Sequence, residues 1–231
     1  MSDWASYLKT NYKSAHNFTY SQLIARYTTE LYYKFLLAVE DNSTIVDIGI
    51  GNGAALLEQK NINLIFGKRL QIFGYDIDDE YLRECKEKVN ECKLNNHIFL
   101  YKKDVTKENL VFSQRVDYLF LSNSYSVIPN VLELLQHAIK KFAPELVVIS
   151  TTLEENESTF RKIMKPKLKY FTFGVEFGRM ITQEIFEKEI SSIGLKIQSK
   201  DIACNPSLFG FLPADVWTYV LQPKKANHNR Y

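Results

Sequence analysis

The fold is decided by residues 46–53, which read Val46-Asp47-Ile48-Gly49-Ile50-Gly51-Asn52-Gly53. The β-branched run that leads into them, Thr44–Ile48, is typical of a buried parallel strand. Glycine at every second position then predicts a tight turn, because glycine adopts backbone conformations that other residues avoid. The sequence Ala54-Ala55-Leu56-Leu57 predicts a helix that begins near Gly53. A strand, a glycine turn and a helix in this order are typical of the first unit of an α/β fold.

The alternation of strand and helix continues beyond this unit. Short apolar runs predict strands at 70–75, 98–101, 116–121 and 146–150. Apolar stripes with a period of about 3.6 residues predict helices over 79–93 and 131–142. Strands separated by helices predict a doubly wound parallel sheet.

The two ends of the chain carry the remaining predicted elements. Residues 20–40 repeat apolar side chains at helical spacing, which predicts an amphipathic helix. The residues of that stripe are Leu23, Tyr27, Leu31, Phe35 and Ala38. Towards the C-terminus we expect a helix over 182–193 that Gly194 ends, followed by strands at 195–203 and 215–221. The turn residues between these two strands suit an antiparallel pair.

The predicted fold class is therefore α/β. We expect a doubly wound, mostly parallel, seven-stranded Rossmann-like sheet with an antiparallel last strand and an N-terminal helical extension. The chain is divided into a helical extension or lid over 1–43, a sheet domain over 44–222 with a lid-like insertion at 161–180, and a flexible tail over 223–231. Its 231 residues suffice for one sizeable core but are few for two full domains.

Composition excludes several classes of function. A formal net charge of +2 creates no global field that would draw the protein to nucleic acid or to an anionic membrane. No apolar run approaches the length of a membrane span, and no signal-like stretch follows Met1. The three cysteines lack metal or redox spacing, and no His and carboxylate residues cluster at ligand spacing. We therefore expect free thiols, no metal and a cytoplasmic location.

Two acidic residues follow the next two predicted strands. Asp76 comes after the strand at 70–75, where its carboxylate can accept both hydroxyls of a ribose. Asp104 comes after the strand at 98–101, where it can accept the exocyclic amine of an adenine. Because these strands are expected to end at one edge of the sheet, the glycine turn and both acids predict a single adenosyl site. The alternative for each acid is a structural turn or capping residue.

With these residues, the sequence resembles the class I S-adenosylmethionine-dependent methyltransferase family. That family's first motif has an acidic residue two positions before the glycine turn, which is Asp47 here. The resemblance covers about residues 44–152, and it implies S-adenosylmethionine as the cofactor. It also implies that Asp47 reaches the ligand's ammonium group and that Ser122 lies beside the reactive sulfonium. The cofactor-binding residues that it implies are Asp47, Gly49, Gly51, Asn52, Gly53, Asp76, Ile77, Asp104, Val105 and Ser122.

A nicotinamide dinucleotide is the rival cofactor. Its usual turn is GxGxxG, whereas this chain has GxGxG followed by Ala54 and Ala55. A pyrophosphate offers no positive group to Asp47, so an acid at that position favours the sulfonium amino acid.

The residues after the fourth predicted strand are expected at the substrate end of the site. They include Ser122, Asn123 and Tyr125, and the Asn- or Asp-Pro-Pro-aromatic tetrad of the family's base- and amide-methylating branches is absent. Ser122 and Asn123 form hydrogen bonds but cannot remove a proton at neutral pH. Transfer to an amine, or to an acidic carbon or oxygen, can proceed by in-line positioning alone, so the catalytic group is unassigned.

Two aromatic segments can roof this site. The N-terminal segment contains Tyr20 and His16, which are catalytic candidates together with Asn123. The segment around 170–179 offers Phe173, Phe177 and Arg179 as substrate contacts. The alternative is that these aromatic side chains simply pack on the top of the domain. A basic run at 161–169 is either a solvated helix end or a site for phosphate, RNA or an acidic protein.

The sequence therefore predicts an S-adenosylmethionine-dependent methyltransferase that acts on a small-molecule O, N or C acceptor. Substrate-binding residues are expected to be Asn123, Tyr125, Phe173, Phe177 and Arg179. The alternatives are an RNA or protein methyltransferase, or a non-catalytic partner that binds the cofactor. A nucleic-acid partner is not favoured, no membrane is expected, and the protein is expected to be a monomer or a homodimer.

Overall fold

Helices and strands alternate along the chain, as the apolar pattern predicts. In this computed structural model the residues described are 25–107, 110, 115–154, 181–204 and 215–224. Their elements are α1 (Ala25–Ala38), β1 (Thr44–Ile48), α2 (Gln59–Gly67), β2 (Gln71–Asp76), α3 (Asp79–Glu91), β3 (Ile98–Lys102), β4 (Tyr118–Ser122), α4 (Val131–Phe142), β5 (Leu146–Glu154), β6 (Ile181–Thr182), α5 (Gln183–Ser192), β7 (Leu195–Cys204) and β8 (Asp215–Pro223).

The strands form one mixed sheet in the order β3-β2-β1-β4-β5-β8-β7, with β6 paired to β5. β1 pairs in parallel with both β2 and β4, and β5 continues the parallel part beside β4. β8 runs antiparallel to β5 and to β7. The predicted mostly parallel sheet with a reversed last strand is confirmed, and the two-residue β6 raises the number of strands from seven to eight. Chain order reverses between β1 and β4, which is where sheets of this kind bind ligands.

The sheet separates two layers of helices. On the α1 face, α1, α2 and α3 cover strand residues that include Ile45, Phe120 and Val148. On the α4 face, α4 and α5 cover residues that include Leu119 and Ile149. Because both faces are buried, the strands are apolar almost throughout, and the sequence pattern of parallel strands follows from this burial.

Aromatic contacts fix α1 to the sheet. Phe35 stacks on Phe120 with ring centroids 4.5 Å apart, and Tyr32 tilts against the same ring at 4.9 Å. Near the end of the helix, the Glu40 amide donates to the Tyr118 hydroxyl at the start of β4. α1 therefore runs antiparallel to β4, and its N-terminal turn points towards the carboxyl ends of the strands. From residue 25 onward the predicted N-terminal extension is part of the core.

Two local predictions are wrong. The expected buried position Ala38 is exposed. The buried apolar side chains of α1 and of the residue that follows it are Leu31, Tyr32, Phe35, Leu36 and Val39. The helix expected near Gly53 begins only at Gln59. Gly53 has a φ of +66°, outside the helical region, so residues 54–57 form turns before α2 starts.

In the part of the chain that the structure describes, no helix has the length and apolar character needed to span a membrane. The predicted lid over 161–180 lies outside the described residues, as do residues 1–24 and 225–231. The described part of the predicted tail is ordered by pairing, since Pro223 pairs with Leu195 and ends β8.

Candidate functional site

The turn after β1 is packed closely at two glycines and open at the third. Gly49, Gly51 and Gly53 have positive φ values of 84°, 60° and 66°, which other residues rarely adopt. A Cβ on Gly49 would lie 2.7 Å from the Ser124 Cβ, and one on Gly53 would lie 2.5 Å from the Cys85 Sγ. Nothing lies within 4 Å of the corresponding position on Gly51. A ligand can therefore approach the backbone at Gly51.

Asp47 lies beneath this turn as a buried carboxylate with a single hydrogen-bond partner among the described residues. Its side chain is 1% exposed, and its Oδ2 accepts from the Tyr32 hydroxyl at 2.7 Å. The other oxygen, Oδ1, is buried and accepts no hydrogen bond within the described chain. Burial raises the pKa of Asp47 to about 7, although the bond from Tyr32 opposes that rise. Such a site favours a cation that can pair with Oδ1.

Asp76 ends β2, the neighbour of β1 in the sheet. Its Oδ2 accepts from the Gly51 amide at 2.8 Å, and its Oδ1 accepts from the Asp78 amide at 2.9 Å. Burial raises the pKa of Asp76, and these backbone donors oppose the rise. The Ile77 amide also lowers the pKa of this carboxylate by hydrogen bonding. An ionised carboxylate has about four lone-pair sites, so acceptor capacity remains for a further donor. Asp76 therefore ties the glycine turn to β2 while it keeps the capacity to accept ligand hydroxyls.

Asp104 follows β3 and is partly engaged within its own turn. Its Oδ1 accepts from the Thr106 amide at 3.1 Å and from the Thr106 hydroxyl, and Lys107 Nζ lies 3.2 Å from Oδ2. Burial alone would raise the pKa of Asp104, but the donors on Thr106 and Lys107 outweigh it and lower the pKa. The structural role considered for Asp104 is therefore present, and Val105 beside it packs against the α4-face core.

The segment after β4 brings uncharged polar groups to the glycine turn. The Asn123 amide donates to the Ser150 carbonyl at 2.8 Å, and the Ser124 hydroxyl donates to the Ile48 carbonyl at 2.7 Å. The Oγ of Ser122 and the Oδ1 of Asn123 are buried and have no partner among the described residues. These two side chains keep their hydrogen-bonding capacity next to the turn.

Three other predicted site residues have different settings. Asn52 stabilises the turn, since its Nδ2 donates to Glu84 at 3.1 Å and its Oδ1 accepts from the Ala54 amide. Ile77 is half-buried directly after Asp76. Tyr125 is 1% exposed, and its hydroxyl donates to Glu189 at 2.9 Å. The structure therefore places the Tyr125 ring in the core against Phe186 of α5.

The remaining sequence candidates lie outside the described residues, and these are His16, Tyr20, Phe173, Phe177 and Arg179. Among the residues that are described, no group of three or more His, Cys, Asp or Glu side chains could hold a metal ion.

Sequence reasoning missed three residues that support the site: Tyr32, Ser124 and Cys85. Tyr32 belongs to the apolar stripe of α1, and a tyrosine within such a stripe signals that its hydroxyl needs a buried partner. Ser124 and Cys85 pack where Gly49 and Gly53 would otherwise carry a Cβ. No signal in the sequence identifies them, because their contacts join segments that are distant along the chain.

Comparison with known proteins gives a result only at the level of structure. No protein-family model matches the sequence, and no curated protein matches it either. Among solved structures, a methyltransferase from Geobacter sulfurreducens in complex with S-adenosyl-L-homocysteine superposes with a TM-score of 0.65 and 11% identity, over 92% of this chain and 97% of that one.

Two further structures have similar scores. The geranyl diphosphate C-methyltransferase from Streptomyces coelicolor has a TM-score of 0.64 and 9% identity, over 84% of this chain and 78% of that one. The [4+2]-cyclase SpnF has a TM-score of 0.65 and 10% identity, over 86% of this chain and 80% of that one. Identities this low show the fold alone, and the cyclase shows that this fold is not tied to one reaction. The chain thus has the fold of the class I S-adenosylmethionine-dependent methyltransferases.

Proposed function

We propose that this protein is an S-adenosylmethionine-dependent methyltransferase that transfers the methyl group to a small-molecule O, N or C acceptor by in-line displacement. The observation that carries the proposal is the buried Asp47 carboxylate, whose Oδ1 has no partner among the described residues, beneath a glycine turn that opens at Gly51. Bound S-adenosylmethionine supplies a methyl group activated by its sulfonium.

The residues around the turn fit the parts of this cofactor. Asp47 would pair with the ammonium of the methionine portion, because a buried carboxylate needs a positive partner. Gly51 leaves room for that portion along the turn. Asp76 would accept the ribose hydroxyls with its remaining lone pairs. The adenine would lie between Ile77 and Val105, with Asp104 accepting its exocyclic amine.

The same residues argue against a nicotinamide dinucleotide. A pyrophosphate at the turn would bring negative charge towards Asp47 and Asp76, whose carboxylates both lie at this end of the sheet. Like charges at short range in a poorly solvated site are strongly unfavourable. A ligand with an ammonium and a sulfonium places positive charge there instead.

At the acceptor end, Ser122 and Asn123 would orient the substrate rather than remove its proton. Neither side chain ionises near neutral pH, and neither hydrogen-bonding group has a partner among the described residues. The chain's contribution at this end is therefore the alignment of an acceptor atom with the methyl group. His16 and Tyr20 stay sequence predictions for a proton-accepting role.

A small-molecule acceptor is supported by the net charge of +2 and by the geranyl diphosphate that the Streptomyces coelicolor neighbour methylates, as its name states. A cytoplasmic location is supported by Cys85 and Cys92, which are free thiols.

The test is calorimetric titration of the full chain with S-adenosylmethionine, S-adenosylhomocysteine and NAD. We expect both adenosyl amino acids to bind and NAD to bind at least tenfold more weakly. Tighter binding of NAD would overturn the proposal. Tritiated cofactor offered with a metabolite extract, with RNA and with protein then separates the acceptor classes. Label in RNA or protein alone would favour the macromolecular alternative, and cofactor binding without label in any fraction would favour the non-catalytic one.

A further inference from the structure

Unpartnered polar atoms are concentrated in one band of the sheet. Six buried side-chain N or O atoms that have no hydrogen-bond partner among the described residues belong to three pairs of consecutive residues. One pair is at the end of β4, and the other two are on the neighbouring strands β5 and β8. The residues of this band are Ser122, Asn123, Ser150, Thr151, Trp217 and Thr218.

The strand register aligns three of the hydroxyls in a row. Ser122 pairs with Ser150 across the parallel β4–β5 ladder, and Ser150 pairs with Thr218 across the antiparallel β5–β8 ladder. Paired residues point to the same face of a sheet, and neighbouring strands lie about 4.8 Å apart. We call Ser122, Ser150 and Thr218 the hydroxyl row.

The row lies on the α1 face, as Asp47 does. Side chains alternate along a strand, and Phe120, Val148 and Val220 belong to the core on the α1 face. Ser122, Ser150 and Thr218 each lie two residues from one of these. Asp47 pairs with Phe120 and points to the same face. The row therefore begins at the end of β4 and extends across β5 and β8, away from the proposed cofactor site. It lies towards the same end of the sheet as the N-terminal turn of α1.

Burial makes unpaired hydroxyls costly unless something binds them. Ser150 is 0% exposed, and its Oγ has no partner among the described residues. A buried donor or acceptor that is left unsatisfied loses the hydrogen bonds that water would give it. Three such groups on paired positions of neighbouring strands are rare in a folded protein. A binding site in which ligand oxygens supply the missing hydrogen bonds would explain them.

The charges around the row select the kind of ligand. The row itself is uncharged, and each hydroxyl can both donate and accept. Among the described strand residues, the acids on this face include Asp47 on β1 and Asp76, which lies two residues beyond the β2 partner of Asp47. At the other end of the row is the exposed Asp201, which pairs with Thr218 across β7 and β8. The nearby Lys200 instead binds Glu187 of α5 on the α4 face. An anionic ligand would thus meet negative charge at both ends of the row.

We propose that the hydroxyl row is the acceptor-binding floor and that it takes an uncharged small molecule with at least two hydroxyl or carbonyl oxygens about one strand spacing apart. This inference rests on the proposed function, and it assigns Ser150 and Thr218 as substrate-specificity residues. Ser122 serves both sites, since it also lies at the proposed sulfonium.

The test uses resorcinol, a neutral ring with two hydroxyls in meta positions, with benzoate and benzylamine as charged counterparts of similar size. Each is titrated into the full chain saturated with S-adenosylhomocysteine. The variants are S150A/T218V, the two single substitutions, and T151V as the matched control. Thr151 is equally buried, lies on the opposite face of β5, and has a hydroxyl without a partner in the described part of the chain.

We expect resorcinol to bind the wild type more tightly than either charged ring does. We also expect the double variant to bind it about tenfold more weakly, from the loss of two hydrogen bonds, and T151V to bind it unchanged. If the double variant unfolds, the isosteric single variant T218V is compared with T151V instead, and we expect a smaller loss of affinity for resorcinol. No binding of resorcinol, equal binding of the three rings, or an equal loss in T151V would each overturn the inference.

The two proposals fail in different ways in this experiment. Binding of S-adenosylhomocysteine without discrimination among the rings overturns the hydroxyl row and leaves the proposed function intact. Absence of S-adenosylhomocysteine binding overturns the proposed function. The rings are then titrated into the unliganded chain, where the comparison of S150A/T218V with T151V still decides whether the row binds neutral oxygens.

Discussion

The Tyr32 hydroxyl donates a 2.7 Å hydrogen bond to the Asp47 Oδ2, and this bond joins α1 to the end of β1 beneath the glycine turn. Both side chains are almost fully buried. Burial, and then the neighbouring Asp47, raises the pKa of Tyr32 well above its ordinary value, while burial raises that of Asp47 to about 7. The bonding proton therefore stays on the tyrosine, and the ionisation of Asp47 is linked to α1 and, in the proposed function, to the binding of the cofactor's ammonium group.

The substitution Y32F should weaken cofactor binding without loosening α1. The phenylalanine ring keeps its packing on Phe120, but Asp47 loses its hydrogen-bond donor. Because that donor lowers the pKa of Asp47, the variant should need a higher pH to ionise the carboxylate. We expect S-adenosylhomocysteine to bind about tenfold more weakly at pH 7. In the wild type, affinity should rise as the pH increases through about 7, and in Y32F this rise should occur at higher pH.

Titrations between pH 5.5 and 8.5 check this prediction, with Y33F as the control. Tyr33 is the next residue of α1, and its ring, which lies 4.9 Å from the Lys60 Nζ, is kept in that variant. A pH midpoint that does not move in Y32F would contradict the link between Tyr32 and Asp47.

The substitution D47N should stabilise the protein at alkaline pH while it abolishes cofactor binding. Asp47 has an ordinary pKa of 3.8 when unfolded and about 7 when folded. The folded wild type therefore binds more protons between these values, and its free energy of unfolding falls as the pH rises from 3.8 towards 7. The difference amounts to about 4 kcal/mol above pH 7.

Urea unfolding of wild type and D47N at pH 4 and pH 8 measures this difference. We expect near equality at pH 4 and a more stable variant at pH 8. D117N is the control, because the Asp117 carboxylate accepts from the Thr44 amide and pairs with Arg115, so its neutralisation should not stabilise the fold. A D47N variant less stable than the wild type at pH 8 would refute the account of Asp47 as an unsatisfied buried acid.

The substitution D76A should weaken adenosyl binding by about 1–3 kcal/mol, because hydrogen bonds to a charged acceptor are lost. The matched control is D79A, which removes an equal charge from an exposed position at the start of α3. Calorimetry with S-adenosylhomocysteine should show the loss in D76A alone. Equal affinities of D76A and wild type would remove Asp76 from the ribose site.

Substitutions at two glycines should distinguish the effect of backbone strain from the effect of ligand contact. Gly51 and Gly194 have positive φ values of 60° and 81°, and a Cβ added to either would have no atom within 4 Å. The substitutions G51A and G194A should each destabilise the fold by about 1 kcal/mol through backbone strain. Only G51A should also weaken cofactor binding, since its methyl group would occupy the ligand's approach. Equal binding by both variants would show that the ligand does not contact Gly51.

The substitution T218V should leave the thermal stability unchanged or raise it. The hydroxyl that is removed has no partner among the described residues, so its loss removes a desolvation cost rather than a bond. Calorimetric unfolding of the unliganded chain checks this, with Y219F as the contrast, because the Tyr219 hydroxyl donates to Glu187 at 3.0 Å. A T218V variant as destabilised as Y219F would contradict the absence of a partner.

The alternation of elements was readable from the chain because burial on both faces leaves long apolar runs in parallel strands. The helix over 79–93 was likewise readable, and in the structure the Asp78 carboxylate caps its start by accepting from the Glu80 and Tyr81 amides. The start of α2 was not readable, because Ala54–Leu57 has good helix formers while the positive φ at Gly53 holds them in turns. The partner of the Tyr125 hydroxyl was not readable either, because Glu189 lies on a helix 64 residues away.

The sequence alone determined which polar and glycine residues follow the predicted strands: an acid and three glycines at the first, and one further acid at each of the next two. Local apolar periodicity and the backbone preferences of glycine were sufficient to identify them. The tertiary structure decided which of those groups are buried, paired or open. Tyr32 meets Asp47, Ser124 meets Gly49, and Ser122, Ser150 and Thr218 align only when strands distant in sequence pair in one register. Such contacts depend on how the strands pair across the whole sheet, and no short stretch of sequence specifies them.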